Sequence, residues 1–227
     1  MKTNWQQITH MDASRNGAWR TYVVVAILLC ASGLSAWFNI GATPPAHGHL
    51  SAYAMVLAFE WTLFAFALRG ADSVVVGYLR NARRNARALL MDIPIAAGIW
   101  IIWALLSPTI VSVLGESGWG SAQGLLPTGA AEIAAWTALS ISAGICEETV
   151  FRGYLQRQFS LWSRSVSVGV VGQAILFGIS HGYQGWKNMV LISVLGCIYG
   201  GVALRRRGLR ANMIAHACMD IAGAFGI

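Results

Sequence analysis

Charge is what this sequence has least of. Only 11% of its 227 residues are Asp, Glu, Lys or Arg, where soluble domains carry about 25%. Hydrophobic residues make up 56% and the mean hydropathy is +0.56. An ordinary soluble domain is excluded, and a multi-pass membrane protein is expected. Cysteine is scarce and unpatterned. Cys30, Cys146, Cys197 and Cys218 lie scattered in apolar segments with no CxxC spacing, which excludes a disulfide framework or a cysteine zinc site and predicts buried free thiols. The net charge of +7 comes with no RNA- or DNA-binding motif. Its basic residues fall between apolar runs and read as topology signals, so no nucleic-acid partner is expected. Repeats, low-complexity tracts and the boundary of a second globular domain are absent too.

What the chain does have is apolar runs of membrane-spanning length. Residues 1–20 read as a polar tail, and runs at 21–40, 51–68, 93–114, 131–148, 166–183, 188–204 and 211–227 predict an all-α polytopic transmembrane bundle of about seven spans, six to eight. The first run has a rival reading as a cleaved signal peptide, with Ser35-Ala36 resembling a processing site; the spans that follow favour a signal anchor. Pro94 falls near the start of the third span, where a helix tolerates it. Between spans two and three, Arg69, Arg80, Arg83, Arg84 and Arg87 accompany an apolar face of Val74, Val75, Tyr78, Leu79, Ala82, Ala86 and Leu89. That pattern predicts an interfacial helix on anionic headgroups. With the N-terminus cytoplasmic, every arginine cluster falls on the cytoplasmic side and only Lys187 outside, as the positive-inside rule asks of a plasma-membrane protein. The loops 41–50 and 115–130 hold no Lys or Arg. His47 and His49 in the first of them could serve as metal ligands, but as loop histidines are expected to be solvated. Gly196 and Gly200 form a GxxxG pair suited to close helix approach. Trp19, Trp37, Trp119, Trp162 and Trp186 near span ends read as interfacial anchors.

Against this background a few ionisable groups stand out. A charged side chain at the bilayer centre costs roughly 2.5–3.5 kcal/mol on insertion scales, so such groups tend to face cavities and do chemistry. Glu60 lies in mid-span with no evident partner, and is either a functional group or a protonated glutamate hydrogen-bonded within the bundle. Span four ends in Glu147-Glu148, followed by Arg152. Glu148 and Arg152 are four apart on one helical face, where an ion pair can form, and Glu147 is rotated roughly 100° away. Two readings are open: both glutamates cap a cytoplasmic helix boundary, or one is braced by arginine while its neighbour reacts. His181, in Phe177-Gly-Ile-Ser-His181, is either a satisfied core residue or a site residue with room left by Gly178 and Gly182. His216 and Asp220 stand one turn apart inside an apolar helix, a pairing hard to explain as packing.

Taken in order, Glu-Glu-x-x-x-Arg, Phe-x-x-x-His and His-x-x-x-Asp resemble the CAAX protease and bacteriocin-processing (CPBP, or Abi) family of intramembrane proteases. The resemblance covers roughly 130–227 and divides the chain into a tail at 1–20, N-terminal transmembrane helices at 21–130 and a catalytic core at 131–227. It implies an endopeptidase acting on a membrane-associated or lipidated, CAAX-like peptide in a cavity open to cytoplasmic water. Glu147 and His181 would activate the water, His216 and Asp220 would hold the carbonyl or its oxyanion, and Glu148 and Arg152 would brace the motif. Family members are described both as metalloproteases and as metal-free glutamate proteases. Glu147, His181 and His216 form a donor set suited to Zn2+ with one position open for water. An ionised Asp220 can only accept hydrogen bonds, so it must be protonated, orient His216 or coordinate a cation. Other classes stay open: a small transporter or proton relay using the same groups, though without a visible inverted repeat, and a non-catalytic immunity or scaffold protein.

Overall fold

The computed structural model describes residues 15–38, 48–71, 73–84, 86–115 and 124–225, and every regular element among them is helical. A lipid-embedded chain must close its backbone hydrogen bonds within each segment, and helices do so. Four helices come before the loop that contains residue 124: α1 (Arg15–Trp37), α2 (Leu50–Leu68), α3 (Ser73–Arg84) and α4 (Ala86–Leu114). After it come α5 (Ala130–Glu148), a π-helical turn (Thr149–Leu155), α6 (Gln156–Ser163), α7 (Val166–Ser180), a 3-10 turn (Gly182–Gln184), α8 (Trp186–Arg206) and α9 (Arg210–Gly223). By length and composition, Ala18–Trp37, Leu50–Leu68, Leu89–Leu114 and Trp186–Arg206 can cross a membrane, and α7 is a shorter apolar helix.

The double glutamate does not end its helix. Glu148, Thr149, Leu155 and Gln156 all keep right-handed helical dihedrals, so α5, the π turn and α6 run on as one rod from Ala130 to Ser163. Hydropathy breaks at the two acids while the backbone does not, because Glu148 finds its partners inside the bundle. Pro94 is likewise well inside α4, not near its start. The helix gains its early turns from Ala86, Leu89, Leu90 and Met91, all good helix formers. Asp92 then anchors it by accepting from Arg206 Nη2 at 2.8 Å and Arg210 Nε at 2.6 Å.

Two further expectations are corrected. The cysteines are free, but only Cys146 is buried; Cys197 is half-buried, and Cys30 and Cys218 are exposed. His49 is 2% exposed and far from solvated. Its ring bonds Glu132 at 2.9 Å and the Gly124 carbonyl at 2.8 Å, and its backbone N–H donates to the same glutamate, because the first turn of α5 puts Glu132 against the start of α2. His47 and Trp119 lie outside the described residues. Trp19, Trp37, Trp162 and Trp186 are exposed.

Packing divides the core in two. One cluster joins Val24 and Leu28 of α1, Leu63 and Ala67 of α2, Val150, Phe151, Tyr154 and Leu155 of the π turn, and Leu176 and Phe177 of α7. The other joins Ala96 and Ile99 of α4 with Tyr199 of α8 and Ala215 of α9. Glycines allow the closest approaches between helices. A Cβ on Gly144 would sit 2.7 Å from the Met213 carbonyl of α9, and one on Gly196 3.0 Å from the Ala174 Cα of α7. Gly196 and Gly200 thus both serve close contact, as the GxxxG spacing predicts.

Candidate active site

The two clusters meet at Arg152, and the ionisable groups gather there. Glu148 is completely buried at the end of α5. Its Oε1 accepts from Arg152 Nη1 at 2.9 Å and bonds His216 Nδ1 at 3.0 Å, while Oε2 accepts from Asn212 Nδ2 at 3.2 Å. The expected i, i+4 pair is present, and the same carboxylate also holds two residues of α9. Arg152 keeps Nε and Nη2 without hydrogen-bond partners, but its guanidinium lies 4.0 Å from the Phe177 ring centroid and 5.0 Å from that of Tyr199. Aromatic faces replace part of its lost hydration.

Glu147 is treated differently by the fold. Its side chain is 22% exposed, and its Oε2 is buried with no hydrogen-bond partner, 3.9 Å from His216 Nε2. His216 is the hub. Its ring stacks on Tyr199 at 5.8 Å and meets the edge of Phe177 at 6.0 Å. Nδ1 is taken by Glu148, and Nε2 faces Asp220 Oδ2 at 3.5 Å. Asp220 is steadied through its backbone carbonyl, which accepts from Trp136 Nε1 at 2.9 Å. Glu147, Glu148, Arg152, His216 and Asp220 are therefore brought together.

His181 joins them through Phe177, whose ring packs edge-on against both histidines. It caps the C-terminus of α7, whose last residue, Ser180, falls three residues before the expected end of that span. Its Nδ1 lies 2.8 Å from the Phe177 carbonyl, which can only accept, so Nδ1 carries the hydrogen and Nε2 the lone pair. Tyr183 follows in the 3-10 turn, its ring 6.1 Å from that of His181, with Gln184 Nε2 donating to its phenol oxygen at 2.9 Å.

Sequence reading missed three groups. Asn212 bonds both Glu148 and the Tyr199 carbonyl, the latter at 2.8 Å; its spacing of four before His216 was the available signal. Tyr199 and Tyr183 carried none, since their roles come from contacts across helices. Glu60 is hydrogen-bonded within the bundle, one of its two readings: Ser142 Oγ donates to it at 3.0 Å.

A zinc ion would use Glu147, His181 and His216. Both rings are backed at Nδ1 by acceptors, as metal-bound imidazoles usually are. The donors do not converge, however: among the described residues no three His, Cys, Asp or Glu side chains gather closely enough to hold an ion.

Residues 129–222 match the family model of Rce1-like type II CAAX prenyl endopeptidases, a match consistent with the CPBP intramembrane proteases. It takes in all six candidate residues from Glu147 to Asp220 and excludes α1 to α4. No curated protein and no solved structure matches the chain.

Proposed function

We propose, from a C-terminal core matched to CAAX prenyl endopeptidases, that the chain hydrolyses a peptide bond in a membrane-associated or C-terminally lipidated, CAAX-like peptide. It works in the plasma membrane with its N-terminus in the cytoplasm, the orientation that puts the arginine clusters inside. The observation that carries the roles is the contrast between adjacent glutamates. Glu148 is fully occupied by Arg152, Asn212 and His216, whereas Glu147 keeps an oxygen with no partner beside His216 Nε2.

The steps we assign to these residues are the following. Glu147, with His181 Nε2 orienting the water, takes one proton as the water oxygen bonds to the carbonyl carbon. The carbonyl π pair moves onto oxygen. His216, held between Glu148 and Asp220, lends its field to that oxyanion. On collapse the C=O bond re-forms, the C–N bond breaks, and the proton on Glu147 passes to the leaving nitrogen. The products are an amine and a carboxylic acid, and Glu147 is again a carboxylate. Glu148 and Arg152 hold His216 and the helix rod in place. The steps use side chains alone, so cleavage is expected to survive extensive dialysis against a strong chelator.

The test is the purified full chain in liposomes with a farnesylated reporter peptide ending in a CAAX sequence. General-base groups contribute about 10²–10⁴-fold, so Glu147→Gln and His181→Ala are each expected to lose at least about 10²-fold in kcat. Cleavage by Glu147→Gln at the wild-type rate overturns the mechanism.

A further inference from the structure

An oxyanion needs a hydrogen-bond donor, and the α9 side chains that face it are poorly supplied. Ionised Asp220 has only acceptor oxygens. His216 Nδ1 bonds Glu148, 3.0 Å away, and Nε2 stands among carboxylates, 3.5 Å from Asp220 Oδ2 and 3.9 Å from Glu147 Oε2. Asn212 spends its amide on Glu148 and the Tyr199 carbonyl.

Tyr183 has what these groups lack. It sits in the 3-10 turn directly after His181, half-buried, with its ring tilted at 32° to the imidazole. Its ring centroid lies 6.1 Å from that of His181, which puts the phenol beside the water-activating histidine. Gln184 Nε2 donates to the phenol oxygen at 2.9 Å. That bond fixes the oxygen and leaves the phenol hydrogen to donate.

Granted the endopeptidase reading, we propose that Tyr183 is a catalytic residue, donating its phenol hydrogen to the substrate oxyanion in the place that a carboxylate at 220 cannot fill. Gln184 is the positioning residue that aims it.

Tyr183→Phe removes the hydroxyl and keeps the ring that packs beside His181, so the fold is retained. With the farnesylated reporter in liposomes, kcat is expected to fall roughly 10²-fold, the usual cost of losing an oxyanion donor, with KM changed less than about threefold, since the contact strengthens only in the transition state. A purely structural role would not give that split. Asp220→Asn supplies an amide donor, so in that background Tyr183→Phe is expected to cost less than about tenfold, the non-additivity of two groups sharing one role. An unimpaired Tyr183→Phe alongside an inactive Glu147→Gln overturns the assignment and leaves the endopeptidase reading standing. Equal losses from Tyr183→Phe in both backgrounds also overturn it. Failure of the wild-type chain to cleave the reporter sinks the endopeptidase reading itself.

Discussion

Arg152 is enclosed by one carboxylate and three aromatic rings, and neither it nor Glu148 touches solvent through its side chain. A buried pair of this kind is weak evidence for stability in itself, because desolvation offsets most of the attraction, but removing one partner strands the other. Arg152→Met is therefore expected to destabilise the bundle by about 3–5 kcal/mol, read from unfolding in mixed micelles. Adding Glu148→Gln in the same chain removes the stranded charge and should recover part of that loss. A double variant as unstable as the sum of its parts would show that the two residues act independently. The pair itself was legible, since i, i+4 spacing puts both side chains on one face whatever the fold does. Asn212 and His216 as further partners of Glu148 were not, because 64 and 68 residues of chain separate them and only tertiary packing joins them.

The elements follow the same division between local and long-range signals. Apolar runs gave the helices at close to their true positions, because each residue's cost in lipid is local. The pattern failed at Glu147-Glu148, where acids imitate a boundary but the rod continues into a π turn, a form often found at functional sites. It failed again at Pro94, where a long helix carries a proline that its anchored early turns tolerate. The His49–Glu132 contact was hidden in a loop whose composition says only that it turns. Gly144 is the tightest link between the rod and α9. A Cβ there would meet the Met213 carbonyl at 2.7 Å and Ala217 Cβ at 3.3 Å, while one on Gly98 of α4 meets nothing within 4 Å. Gly144→Ala must push α9, with His216 and Asp220, away from Glu147. It is expected to cost about 1–3 kcal/mol as overpacking and to cut reporter cleavage. Gly98→Ala, adding a methyl to open space, should leave cleavage unchanged and serves as the control. Equal activity of the two variants would mean that the α5–α9 spacing does not govern the site.

At the scale of the whole molecule, the family match begins at residue 129, yet the site it covers is braced by helices before it. Thr21 of α1 bonds the Tyr154 phenol in the π turn at 2.9 Å, and Glu60 of α2 takes the Ser142 hydroxyl of α5. Most directly, α1 packs along α7 and the 3-10 turn, where Ser32 Oγ donates to the Ile179 carbonyl, two residues before His181. The N-terminal half, which reads in sequence as little more than hydrophobic, thus packs against the turn that presents His181 and Tyr183. Gly182 sits between those two residues, and a Cβ on it would lie 2.5 Å from Ser32 Oγ. Gly182→Ala should therefore displace the turn, and a misplacement near 1 Å can cost about 10²-fold in rate. Ser32→Ala alone loses one hydrogen bond, worth about 1 kcal/mol, and keeps the turn in place. Combining the two removes the oxygen that the new methyl strikes, so the double variant is expected to regain most of the activity lost in Gly182→Ala. Reporter cleavage by the four chains measures this directly. A double variant as slow as Gly182→Ala alone would mean that the turn is set by α7 and α8 and not by the first helix.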